Sequence, residues 1–317
     1  MYKLLTNTYL NNTMQIANPI YDTIFKYLMD NVDIAKDILS VIVNKNIVSI
    51  VSKPEEVTSI TKTGLKIFRL DFKAIIETKD GTQELILIEI QKSNKGFEIK
   101  RFRSYLGLNY IGEEEQDSQK SSLPITSIYF LGFRLKNIKI PVLKVARSYT
   151  NAVTQKKLKK PISENFVEQL SHDMYVIQIP RLRKMVAETP LEKILDVFSQ
   201  TKYKTSDTHV LDYTGDMSDP RVERIVKYLN RAMSAYEIRR AMDAEDEVER
   251  ALSRIQDEAQ RKLDAERAEK EAALQAKEEA LTAKEEALKA KEKAEIELEI
   301  LKRQLEALLN KPDNENN

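Results

Sequence analysis

The chain has 317 residues, of which 42% are hydrophobic and 32% charged, enough for one large domain or two modest ones. It holds no cysteine, which excludes a disulfide scaffold, a thiolate zinc site and a cysteine nucleophile. Its two histidines, His172 and His209, exclude a three-histidine metal centre. No apolar run reaches the roughly 18 residues of a membrane span, and no basic region followed by an apolar stretch opens the chain. A cytoplasmic protein without membrane contact is expected.

In chain order, Asn18-Pro19 predicts a helix start, with Asn as cap and Pro in the first turn. Ile20, Ile24, Phe25 and Leu28 follow at helical spacing, and a second helix is predicted over Val32–Val43. Residues 68–77 and 83–91 predict two strands joined at Lys79-Asp80-Gly81, since Asp-Gly between apolar runs marks a hairpin. Residues 97–112 predict a helix with Phe97, Tyr105 and Leu108 facing inward. Strands are predicted at 125–135 and 174–179, and helices at 190–198 and 219–235. This order predicts an α/β fold, a mixed sheet flanked by helices.

The last third has another composition. Residues 1–242 carry 37 Lys and Arg against 28 Asp and Glu, whereas residues 243–310 carry 13 against 20. All seven glycines lie at or before Gly215, and residues 221–311 contain neither Gly nor Pro. Such a stretch, rich in Ala, Glu, Lys, Leu and Arg, predicts one long helix. A seven-residue repeat begins at Ala273, Ala280 and Ala287, the period of a left-handed coiled coil. Ala273, Ala276, Ala280, Ala283, Ala287 and Ala290 form a weak seam flanked by Leu274, Leu281 and Leu288. Leu298, Leu301, Leu305 and Leu308 form a better one. Self-association as a homodimer or higher oligomer is expected; a single charged helix in water is the other reading. The expected division is an N-terminal extension at 1–17, a core at 18–200, a helical connector at 201–242, the charged helix at 243–310 and a disordered tail at 311–317.

Acids inside apolar strands are the informative feature. Glu89 ends the run Leu85-Ile86-Leu87-Ile88, where a carboxylate is costly unless partnered. Side-chain alternation puts Glu89 and Gln91 on one face and Ile90 on the other. Asp71 sits between Leu70 and Phe72, and pairing across the Asp80-Gly81 turn brings it toward Glu89. Two convergent carboxylates, with the Ile90 carbonyl, suit Mg²⁺ or Mn²⁺. Alternatively, Arg69, Lys73 or Lys92 satisfies both acids.

These residues resemble the metal-dependent PD-(D/E)XK nucleases, and more narrowly their recombination-promoting nuclease and putative transposase family. The resemblance spans roughly residues 18–260 and rests on short motifs in order. Asp22-Thr23-Ile24-Phe25-Lys26 fits an Asp-x-x-Phe-Lys element, and Leu70-Asp71 begins the strand before the turn. Glu89-Ile90-Gln91 is the characteristic tripeptide, followed by Arg101 and Tyr105 on the next helix. Ile179-Pro180-Arg181 ends a late apolar strand. The resemblance implies a restriction-endonuclease-like core and metal ligation by Asp71 and Glu89, with Asp22 approaching the same cleft. Gln91 stands where the superfamily has lysine; it orients water by hydrogen bonds and cannot act as a base. Lys92 points to the other strand face. Arg101 and Tyr105, one turn apart, either contact the scissile phosphate or brace Glu89.

The expected function is a Mg²⁺- or Mn²⁺-dependent DNA endonuclease, with a role in recombination, mobile elements or defence implied by the resemblance. The alternative is an inactive nuclease-fold interaction protein that docks partners through its coiled coil; Asp22, Asp71, Glu89 and Gln91 together argue against such decay. RNA as substrate is not separated from DNA by these motifs. Lys136, Lys139 and the basic run at 156–160 are expected in loops, as phosphate contacts or as solvated charge, and Arg181, Arg183 and Lys184 could line the same groove. His172 beside Asp173 is expected to be a surface residue, and His209 a loop residue.

Overall fold

The computed structural model describes residues 13–309, apart from 54–55, 62–63, 70, 93–98, 112–122, 159–166 and 168–170. Most of the expected N-terminal extension and the tail at 311–317 therefore lie outside the described residues, as do Phe97 and Gly112.

The architecture is α/β, built on a mixed six-stranded sheet. Its strands are β2 (Ile47–Ser52), β5 (Phe72–Thr78), β6 (Gln83–Gln91), β7 (Ile125–Leu131), β8 (Val142–Val145) and β9 (His172–Gln178). They lie in the order β2-β5-β6-β7-β9-β8. The hairpin β5–β6 is antiparallel and turns at Gly81, whose φ of 81° suits a residue without Cβ. Strands β6, β7 and β9 run parallel, so their C-terminal ends share one edge of the sheet. Two further pairs stand outside it: β1 (Met14–Ala17) with β10 (Val210–Tyr213), and β3 (Glu56–Thr61) with β4 (Gly64–Arg69).

Alternation along β6 divides the core. Ile86, Ile88 and Ile90 join the larger cluster under α1 (Asp22–Asp30), α2 (Val32–Val43), α5 (Pro190–Asp196) and α6 (Pro220–Ala232). Leu85 and Leu87 face the other way, against Phe102 and Tyr105 of α3 (Ile99–Ile111). Local chemistry sets the helix ends. Asn31 accepts from the Ile34 amide at the start of α2, and left-handed Asn44 ends it. Thr189 and Glu192 form a capping box on α5, and Asp219 caps α6.

Several expectations change. The first helix starts at Asp22, not at Asn18-Pro19, because the Asn18 side chain is held by Gln200 and by the Thr208 carbonyl. The single strand expected over 68–77 is two, β4 and β5, with Asp71 in the bend between them. The strand expected at 125–135 stops at Leu131, and that at 174–179 gives way at Ile179 to the short helix α4 (Ile179–Leu182). The long helix, α7 (Tyr236–Leu309), starts seven residues before position 243. Compactness divides the chain after Ser253, so the root of α7 belongs to the first unit. In the second unit Leu274, Leu281, Leu288, Leu298, Leu301 and Leu305 are all exposed in the single chain. No described helix is long and apolar enough to cross a membrane.

Candidate active site

The β5–β6 register determines where the acids meet. The register ends with Phe72 opposite Ile88, and Asp71, in the bend just before β5, follows at the open end of the hairpin, close enough to Glu89 for the two charges to act on each other. Ile88 and Ile90 belong to the larger cluster, so Glu89 between them points to the α3 side of the sheet. Asp71 Oδ2 accepts a hydrogen bond from the Ile90 amide, which continues the contacts of β6 just before β5 begins. Glu89 is 4% exposed. Asp22, the first residue of α1, approaches from the other element, and its Oδ2 binds Lys26 at 2.9 Å.

Electrostatics records the convergence. Burial first, then the charges of Glu89 and Asp22, push the Asp71 carboxyl well above the ordinary carboxylate range, against the pull of the Ile90 amide. Burial and then Glu89 likewise raise the Tyr129 phenol. Asp22 Oδ1 is buried and accepts no hydrogen bond. Like charges held together out of water are the condition that a divalent cation relieves. Asp71 and Glu89 fit such an ion as a hard-oxygen pair. Among the described residues, however, no three His, Cys, Asp or Glu side chains form a ready-made cage.

The other expected site residues are placed as follows. Gln91 follows on the Glu89 face at the end of β6, half-buried, and its carbonyl accepts from the Gly132 amide at 2.8 Å. Ile90 is used through its amide. Tyr105 is buried over the same face of β6, packed edge-on to Phe102 at 6.4 Å. The side chain of Arg101 lies outside the described residues, as does that of Arg69. Lys73 is buried on the Glu89 face, opposite Leu87. Lys92 turns away from the acids, with its ammonium 3.7 Å from the centre of the Tyr21 ring.

Sequence reading missed what holds this arrangement. The first turn of α1 has no side-chain cap of its own. Glu245, from the root of α7, accepts from the Asp22 amide at 3.0 Å and the Thr23 amide at 2.8 Å, and binds the Thr23 hydroxyl. One residue on, Asp246 binds Lys92, Tyr21 and His209. Glu249 reaches Lys92 at 3.2 Å. Burial disfavours the Asp246 charge, but Lys92, Tyr21 and His209 outweigh it and hold the carboxyl below its ordinary value. The available signal was a set of acids at 245, 246 and 249, one face of a helix otherwise read as solvated.

The histidines divide differently from expectation. His209 sits in a turn but is buried, edge-on to Tyr21 at 5.0 Å. His172 is half-buried in β9, 2.7 Å from the Tyr110 hydroxyl, while Asp173 pairs with Arg147. They point to opposite strand faces and form no catalytic pair.

No family model, curated protein or solved structure matches the chain. The functional reading therefore rests on the residues and their geometry.

Proposed function

We propose that this protein is a metal-dependent endonuclease that hydrolyses phosphodiester bonds of DNA, on a core of restriction-endonuclease type. The observation that carries the reading is the meeting of Asp71 with Glu89 at the open end of the β5–β6 hairpin, with Asp22 close enough to raise the Asp71 carboxyl further. Asp71, Glu89 and the Ile90 carbonyl would hold Mg²⁺ or Mn²⁺, with Asp22 reaching the same cleft. Such an ion would supply positive charge against the phosphodiester and favour ionisation of an attacking water.

The chain's own residues do the rest. Gln91, on the Glu89 face, orients the water by hydrogen bonds and takes no proton. Water attacks phosphorus and gives up a proton to solvent, the bond to the leaving oxygen breaks, and that oxygen leaves with a proton from solvent. Tyr105 and its aromatic neighbours brace the Glu89 face. Glu245 fixes the first turn of α1, and with it the backbone of Asp22. Pairing of α7 between two copies would put two sites on one duplex, as a double-strand break requires.

The test is cleavage of supercoiled plasmid in Mg²⁺ or Mn²⁺. Asp71→Asn and Glu89→Gln, each folded by circular dichroism, are expected to lose about a hundredfold or more in rate, since a ligand should matter at least as much as the groups that orient one. Wild type that leaves plasmid, linear and single-stranded DNA intact in both metals would overturn the proposal. The exposed leucines of the second unit favour a second reading, an interaction protein docking through α7. Under that reading, α7 recovers the same partner from wild type and from Glu89→Gln, with no cleavage by either.

A further inference from the structure

Beyond the ends of β7 and β9 lies a pocket of about 340 Å³ whose charged lining is Arg134, Lys139, Arg181, Arg183 and Lys184. No acid lines it. Elsewhere in the first unit cations are commonly answered by acids: Lys26 by Asp22, Lys45 by Glu84, Arg147 by Asp173, Lys193 by Asp216, Arg221 by Asp219. Among the described residues, none of the five pocket cations is paired with a carboxylate. Arg181 donates to the Leu135 carbonyl at 3.1 Å and to Gln178 Oε1 at 3.1 Å, and Lys139 to the Lys136 carbonyl at 2.7 Å. These bonds orient the side chains without neutralising them.

The pocket is built on a buried polar residue. Gln178, 0% exposed, donates to the carbonyls of Ile138 and Ile140 and accepts from the Leu135 amide and from Arg181. It thereby fixes the loop after β7 against the start of α4. Its place in the sheet ties the pocket to the candidate site. Gln91 pairs with Leu131, and Leu131 with Gln178, so Gln178 ends the row that Gln91 begins, on the same face. Two strand spacings separate them, roughly 10 Å.

We infer that this pocket binds a backbone phosphate of the nucleic-acid strand whose neighbouring phosphodiester lies at Asp71 and Glu89. The inference rests on the proposed nuclease reading and assigns it a second anchoring point. Five cations with no carboxylate partner among the described residues repel one another, and a phosphate group relieves that repulsion with charge-assisted hydrogen bonds. The contact carries no base information; it sets where the strand lies.

The experiment measures binding of a fluorescent duplex to the full chain in EDTA as salt is varied, so that no cleavage is needed. The variant is Lys139→Ala/Arg183→Ala/Lys184→Ala, whose three side chains are exposed, and the control is Lys156→Ala/Lys157→Ala in a separate loop. The pocket variant should flatten the slope of log affinity against log salt by about 2 to 3, and the control by less than about 1. At about 0.1 M salt the pocket variant should bind at least about tenfold more weakly. Equal slopes for wild type and pocket variant overturn the inference. So does wild type that binds inorganic phosphate or phosphatidylserine vesicles through the pocket but not the duplex. Plasmid cleavage with an unchanged binding slope sinks the pocket and keeps the nuclease. Pocket-dependent binding without cleavage in either metal does the reverse.

Discussion

Gly132 shows how closely the site depends on single atoms. A Cβ built there would sit 2.1 Å from the Lys92 carbonyl oxygen and 2.8 Å from Ile20 Cδ1. The first obstacle is backbone at the exit of β6, immediately after Gln91, and cannot rotate away. Gly132→Ala is therefore expected to cost about 1–3 kcal/mol in chemical denaturation, the range for overpacking a tight interior. Its plasmid cleavage should fall further than that loss of stability explains, because the β6 exit moves with the clash. Asp71 makes a second prediction at this scale. Its charge is disfavoured by burial and by two carboxylate neighbours, so Mn²⁺ should raise the melting temperature of wild type. Asp71→Asn removes one of the like charges, and in its melting curve that rise should shrink or vanish.

Among the elements, the root of α7 acts on the site through α1. Glu245→Ala strips the first turn of α1 of the acceptor for two amides and should cost about 0.5–2 kcal/mol, as loss of a cap does. Asp246 adds a pH signature. Its folded carboxyl titrates below the ordinary value, so its contribution to stability is present above that value and is lost as pH falls through the depressed one. Asp246→Asn should flatten this acid limb in urea melts followed from neutrality down through and below the ordinary carboxylate range. Much of the element pattern was legible in the sequence. Residues Val32–Val43 and Gln83–Gln91 form their helix and strand at the boundaries the sequence predicts, the helix because one apolar face repeats at helical spacing and the strand because its apolar run, buried on both faces, follows the Asp80-Gly81 turn. The short strands β1, β2, β8 and β10 were not read, since four to six residues leave little alternation to recognise. The break at Asp71 was hidden by apolar residues on both sides. The ties from α7 to α1 span more than 220 positions, and no local pattern encodes them.

For the whole molecule, the charge asymmetry and the boundary after Ser253 argue for a division of labour. The first unit carries the sheet, the acids and the basic pocket. The second carries exposed leucines that a single chain leaves in water. Ending the chain at Ser253 should give a monomer by light scattering that still nicks plasmid, with conversion of nicked to linear product reduced severalfold. A truncated chain that remains dimeric and linearises DNA at the wild-type rate would assign α7 another task.

The bond from Asp71 to the Ile90 amide has a practical sequel. Just before β5, an acidic side chain stands in for the next rung of the ladder, so the carboxylate proposed as a metal ligand also serves the architecture. Alanine at this position would open the hairpin as well as discharge the site, and a dead alanine variant would confound the two. Asparagine keeps an acceptor for that amide, so its comparison with alanine separates the scaffold from the reaction.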